Sequence, residues 1–282
     1  MLLRMSSRLR RSLRLPMKKA AMKQLIVNAD DFGFTHDVNE GVERAHREGI
    51  LTATTLMADG AAFDDAVRRA RDLPDLDVGV HLTLVGEPPY PRTVRGLIAA
   101  MARRRIDIAA ELRRQIEKVL AAGIRPLHLD AHKHTHLLPP VLRQVAMLSR
   151  EYGIPWVRRP FDFPLHATRV PLSRRILTGA MGALRGRFER VLREHGCRTT
   201  DHFAGFRITG LYDTAELCAL VRQLPEGVTE FMTHPGICSD ELRAARTRLK
   251  ASRESELRAL VSGEVKRALA ESGVQLVRYR DL

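Results

Sequence analysis

The sequence predicts an α/β fold closed into a barrel or distorted barrel, in a single domain. Short apolar, β-branched segments alternate with amphipathic segments of helical period, which implies parallel strands joined by crossover helices. The length of 282 residues suits one α/β barrel, which occupies roughly 250 residues. Several apolar segments end in acids or histidines, and parallel α/β folds collect their reactive groups at strand carboxyl ends.

The elements follow in order. Residues 1–23 hold eight basic side chains and no acid, and lack the apolar core and cleavage site of a secretory signal. They read as a flexible basic tail before a domain over 24–282, with Met17 and Met22 as alternative starts to Met1. Leu25-Ile26-Val27 is a buried strand that runs into Asn28-Ala29-Asp30-Asp31. Residues 36–47 predict a helix closed by Gly49 at its C-cap. A β-branched strand over 50–57 and a short helix over 61–72 come next, then a strand over 76–84 with almost perfect alternation. Ile108, Leu112, Ile116, Val119 and Leu120 predict a helix over 107–122. A strand over 127–131, a helix over 139–151 and a strand opening at Trp156-Val157 follow. The remainder predicts a strand at 227–233, a helix around 254–271 and a terminal strand over 275–279.

Composition narrows the function classes. A chain 44% hydrophobic and 28% charged is globular rather than disordered. Aromatic content of 5% leaves few stacking platforms for single-stranded nucleic acid. No uncharged apolar run approaches the ~18 residues a spanning helix needs. Cys197, Cys218 and Cys238 lack CxxC spacing, which argues against a disulfide scaffold or thiolate zinc site and fits a reducing, cytoplasmic setting. More than half of the net charge of +14 lies in residues 1–23. Residues 141–200 add twelve arginines against four acids, and the rest is slightly acidic. Such a region suits an anionic surface, nucleic acid or lipid headgroup, unless it is simply solvated. Within it Ile176, Ala180, Leu184, Phe188 and Leu192 recur every fourth residue among Arg174, Arg175, Arg185, Arg187, Arg190 and Arg193. That spacing predicts a basic amphipathic helix over 171–195, either docked on the barrel or lying peripherally in an anionic membrane surface.

Four strand ends carry the chemistry. Asp30 and Asp31 are adjacent carboxylates after an apolar strand, costly unless a cation or proton compensates them. Period two puts Asp77, Gly79, His81 and Thr83 on the face opposite Leu76, Val78, Val80 and Leu82, so His81 points into the barrel or its mouth. His128, Asp130 and His132 share a face within HLDAHKHTH, where four histidines and an acid crowd nine residues. Imidazole and carboxylate together suit a divalent ion such as Zn²⁺, Mn²⁺, Co²⁺ or Mg²⁺. The four histidines cannot all join one ion, so some must back the ligands or face substrate, and His134 and His136 stay without an assigned role. His234 ends an apolar strand directly before Pro235-Gly236, a position suited to a proton donor. Together these groups provide what metal-assisted hydrolysis requires: ligands, a base and an acid. No Walker loop or GxSxG elbow is present.

NADDFG at 28–33, VGVHLTL at 78–84, HLDAHKHTH at 128–136 and THPG at 233–236 resemble the YdjC-like carbohydrate deacetylases, also called the ChbG/HpnK family. The resemblance runs from about Gln24 to the terminal YRDL with the motifs in the family's order. It implies a distorted TIM-like barrel, one divalent metal (usually Mg²⁺) and removal of an N-acetyl group from an amino sugar. Mapped by motif, it implies Asp31, His81 and His132 as metal ligands, Asp30 as general base and His234 as general acid. The AHKHTH and VNEGVERAHREGI stretches are most similar to the hopanoid-biosynthesis branch, which implies a glucosaminyl hopanoid lipid as substrate. His128, Asp130 and Arg158 are candidate substrate contacts, and a homodimer is a candidate assembly. Two alternatives stand beside this reading. One is a metal phosphoesterase of a His-rich barrel. The other is a basic nucleic-acid-binding protein, which leaves the His/Asp cluster without a purpose.

Overall fold

A computed structural model describes residues 22–165 and 170–282. The basic tail therefore lies outside the described residues apart from Met22 and Lys23, and Lys23 already opens the first strand. The parallel strands are β1 (Lys23–Phe32), β2 (Ala53–Leu56), β3 (Asp77–Leu82), β4 (His128–Ala131), β5 (Trp156–Val157), β6 (His202–Ala204), β7 (Gly227–Thr233) and β8 (Val274–Leu276). Their order is β5-β4-β3-β2-β1-β7-β6. β8 pairs with Lys23–Leu25 and β2 with Asn28–Phe32, so one long strand serves two short ones in line. The sheet curls until its edges meet, joined by isolated bridges between Trp156 and Arg198 and between Asp162 and Phe203. The result is the distorted barrel expected from the sequence, with an irregular seam between β5 and β6.

Alternation decides what each strand buries. Leu25, Val27 and Ala29 join the large core under the helices, as do Val78, Val80 and Leu82 of β3. Ile26 belongs to a separate cluster with Ala53, Trp156, Val277 and Tyr279, which plugs the amino-terminal end of the barrel. Helix ends obey local rules: Thr35 Oγ1 accepts from the Val38 amide at 3.2 Å, Asp107 caps Ile108–Ala121, and Pro139 opens Pro139–Glu151. No helix among the described residues is long and apolar enough to cross a membrane.

Some expectations needed correction. Gly49 is not a left-handed cap; Glu48 closes His36–Arg47 at φ −104°. Gly49 is required by crowding instead, since a Cβ there would lie 2.5 Å from Ala45 O and 2.6 Å from Leu260 O. The helix around 254–271 is two, Ala251–Val261 and Gly263–Glu271, with Ser262 capping the second. The helix over 171–195 is also two, Leu172–Gly182 and Arg185–Glu194. Steps of four residues drift about 40° each on a helix of 3.6 residues per turn, so Ile176 and Leu192 cannot share a face over that length. Phe188 and Leu192 are buried, and Ile176 is exposed. Helices Val94–Ala102, Thr214–Arg222 and Asp240–Ala244 and the three-residue β6 escaped prediction.

Helix His36–Arg47 meets the turn after β7 at Gly41, where a Cβ would stand 2.4 Å from Gly236 Cα. Backbone cannot yield as a side chain tip can. Gly41→Ala is expected to cost about 1–3 kcal/mol, read from urea denaturation. Wild-type stability would refute this account of the contact.

Candidate active site

The site begins with a fault in β1. Ala29 pairs with Thr54 and Phe32 with Leu56, so three steps of β1 face two of β2. The extra residue is absorbed at Asp31, which adopts φ +68°, a left-handed conformation unusual for a non-glycine residue. Strict alternation would send Asp30 and Asp31 to opposite faces. The bulge lets both carboxylates reach the carboxyl end of the barrel.

Asp31 Oδ1 lies 3.0 Å from His132 Nδ1 and 3.3 Å from His81 Nε2, and those two nitrogens are 3.2 Å apart. His81 arrives from β3 and His132 from the turn that follows β4. Metal–ligand bonds of about 2.0–2.2 Å at tetrahedral or octahedral angles set donor separations of about 3.0–3.5 Å. The triangle is thus the size of one face of a coordination shell, and two imidazoles with one carboxylate are a donor set that divalent ions accept. The back of each ligand is held. Asp130 Oδ1 lies 2.7 Å from His81 Nδ1, and Arg253 Nη2 donates to Asp31 Oδ2 at 2.5 Å. Burial alone would lower the His81 imidazole, yet Asp130, Asp31 and Asp30 push it up to about 10. This ring sits where positive charge is favoured. Burial raises the Asp31 carboxyl, but Arg253 and His132 outweigh it and hold it well below the usual range.

Asp30 is placed differently. Arg158 grips both its oxygens at 2.7 Å, and Asn28 Nδ2 donates to Oδ1 at 3.0 Å. Arg158 is wholly buried and also pairs with Asp130 at 2.5 Å and Glu230 at 2.6 Å. Burial raises the Asp30 carboxyl, Arg158 opposes the rise, and Asp130 adds to it, with a net upward shift. His234 Nε2 stands 3.9 Å from Asp30 Oδ2, and its backbone amide donates to Glu256 Oε2 at 2.6 Å. Burial holds the His234 imidazole well below its ordinary value, so it rests neutral.

The candidate substrate contacts lie deeper than the triangle. His128, Asp130 and Arg158 are buried, and each is already occupied by other side chains. His128 Nε2 lies 2.8 Å from Asn28 Oδ1, and its ring stacks on Tyr279 at 4.1 Å. Asp130 also accepts from Thr55 Oγ1 at 3.1 Å. His134 and His136 turn away from the triangle. His134 packs against Phe203 and Phe206, and His136 Nε2 lies 3.2 Å from the Arg158 carbonyl. Sequence reasoning missed Arg253 and Glu256, which reach the site from one helix, and gave no role to Glu230. Glu230 carried a signal, because an acid inside an apolar strand demands a partner. Arg253 did not, since ASRESELRALV reads as a solvated helix.

Burial also lowers the His128 imidazole, to about 3 from an ordinary 6.5. As pH falls below 6.5 the unfolded chain takes a proton that the folded chain refuses, so stability drops through that window. His128→Phe, which keeps the stacking, should flatten the stability–pH slope by up to about 1.4 kcal/mol per pH unit between about pH 6 and 4. Parallel denaturation profiles for variant and wild type would contradict a neutral buried His128.

Residues 24–271 match the family model described as YdjC-like protein. A carbohydrate deacetylase of Brevibacillus brevis is 32% identical over 271 residues, covering 92% of this chain and 99% of its own. A chitooligosaccharide deacetylase of Salmonella heidelberg is 31% identical over 271 residues, with 92% and 98% covered. A crystal structure from Enterococcus faecalis V583, named for cellobiose-phosphate cleavage, has a TM-score of 0.71 at 27% identity, covering 92% of this chain and 98% of the other.

Proposed function

Because the chain belongs to the YdjC-like protein family, we propose that it is a metal-dependent carbohydrate deacetylase that removes the N-acetyl group from an acetylated amino sugar. The observation that carries this reading is the convergence of Asp31, His81 and His132 beside the separately held Asp30. Asp31, His81 and His132 would hold the ion, magnesium by family resemblance, although the donors also accept zinc, manganese or cobalt. A divalent ion bound there supplies Lewis acidity to a carbonyl oxygen and lowers the pKa of water.

The protein's own groups do the rest. Arg253 occupies Asp31 Oδ2, so the ligand oxygen is Oδ1. Asp130 occupies His81 Nδ1 and leaves Nε2 facing the triangle. Asp30, with its raised proton affinity, takes the proton from the attacking water. His234 rests neutral, so the proton it gives to the departing nitrogen must reach it during the reaction; Asp30 Oδ2 is 3.9 Å away. Water thus contributes hydroxyl to the acetyl carbon and its proton to the amine, and the exchange balances. Arg158, Asp130 and His128 act in this reading as positioning groups behind the site.

Acetate release from acetylated chitobiose, set against phosphate release from a generic phosphate ester, tests the assignment. Phosphate without acetate would favour the phosphoesterase alternative. His81→Ala and His132→Ala should each lower bound metal by 10-fold or more by elemental analysis, and unchanged content would refute that ligand set. The finer reading, a glucosaminyl hopanoid substrate, rests on the AHKHTH and VNEGVERAHREGI likeness. Mass spectrometry of parallel incubations with acetylated hopanoid sugar and chitobiose decides it, and preference for chitobiose would overturn it.

A further inference from the structure

Helix Leu172–Gly182 is mounted inside out. A surface helix ordinarily turns its apolar stripe to the core and its polar side to water. Here the docked side is largely polar. Arg174 Nη1 donates to the carbonyls of Arg207 and Thr209 at 2.8 and 2.9 Å, and Thr178 Oγ1 accepts from Arg207 Nε at 3.2 Å. Met181 is the one buried side chain of the helix among the described residues. The apolar side faces out: Leu172, Ile176, Leu177 and Leu184 expose 69, 64, 51 and 43% of their surface. At about 100° per residue, Leu172, Ile176, Ala180 and Leu177 fall within one face of about 140°, broken only by Ser173 and turned away from Arg174 and Thr178, and Leu184 is exposed just past the helix end.

Charge surrounds that face. Arg175, Arg185, Arg187, Arg190 and Arg193 are exposed on this helix and the next. Arg185 pairs with Glu189, and no ion pair engages the other four among the described residues. The helix rests on the segment after β6, whose Phe206 ring lies 5.0 Å from that of His134. The surface therefore belongs to the carboxyl-end rim, the same end of the barrel as the His/Asp triangle.

We propose that this face docks the protein peripherally on an anionic lipid bilayer, with the aliphatic side chains entering the acyl boundary and the arginines on headgroup charge. Three occupants compete, and the chemistry of the face separates them. A second copy would bring the same cluster of arginines against itself. Nucleic acid would take the arginines but strand four aliphatic side chains against phosphate. An anionic bilayer satisfies both sets. Docking there would hold the barrel mouth at the bilayer and takes no part in the reaction.

Sedimentation of the full chain with vesicles tests it, using phosphatidylcholine alone and phosphatidylcholine mixed with phosphatidylglycerol. Binding to the anionic vesicles is expected to exceed that to neutral ones by about tenfold or more, and to weaken as salt rises. The double variant Ile176→Ser, Leu177→Ser should lose about tenfold or more, since each side chain forfeits its burial. Arg187→Gln with Arg190→Gln should lose about fivefold per charge. Circular dichroism and the thermal midpoint confirm that each variant is folded. Absent binding, or equal binding to neutral vesicles, overturns the proposal. So does unchanged binding of the serine variant, which would move the contact to residues 1–21. A dimer in light scattering that the serine variant dissolves overturns it in favour of a second copy.

Discussion

Asp30→Asn is expected to cut acetate release by about 10²–10⁴-fold, the usual contribution of a positioned base, while bound metal stays at the wild-type level. The substitution preserves volume and one acceptor oxygen, so Arg158 keeps a partner and the fold persists. What disappears is the capacity to take a proton. Asp30 is no ligand in the proposed set, because its two oxygens are gripped by Arg158 and its neighbour Asp31 faces the imidazoles. Steady-state kinetics on acetylated chitobiose with elemental analysis of the same preparation gives both readouts. Undiminished turnover would remove Asp30 from the mechanism, and loss of metal with turnover would recast it as a ligand.

Arg158→Met should have the largest effect on stability. Arg158 is fully buried and ties Asp30, Asp130 and Glu230 together. Removing it leaves three carboxylates in the barrel with far less compensation, and breaking a buried pair costs about 3–5 kcal/mol. Against a typical stability of about 5–15 kcal/mol, that is a large fraction. The pH dependence has a definite sign. Without Arg158 the folded-state pKa values of the three acids rise, so the native chain binds more protons than the unfolded one, and stability increases as pH falls. The deficit should therefore be smaller near pH 5 than near pH 8, as measured by chemical denaturation. A variant of wild-type stability, or a deficit independent of pH, would show that the guanidinium does not hold the barrel interior together.

What the sequence disclosed depended on how local each signal was. Asp30, Asp31, His81, Asp130 and His132 were visible because each ends or continues a short apolar strand, where period two leaves little choice of face. The barrel followed from the number of strand–helix units and the chain length, since periodicity alone does not separate a barrel from an open sheet. Two stretches misled for geometric reasons. A repeat of four residues imitates a helical face over one or two turns and then drifts off it, which hid the break before Arg185. Ser262 and Glu264 do form a cap, yet the apolar positions on either side continue well enough to read as one helix. Arg253 and Glu256 were invisible because their partners, Asp31 and the His234 amide, are remote in sequence. A charged residue on a helix carries no mark of what lies across the fold. β6, three residues long, is defined by its neighbours rather than by its own composition.

The single surplus residue in the first strand has a broader meaning. Two chemically identical side chains, adjacent in the chain, acquire opposite temperaments: one surrenders its proton readily, the other clings to it. Neither property is written in the aspartates themselves. A kink in the backbone assigns them to different neighbourhoods, and so divides labour between twins.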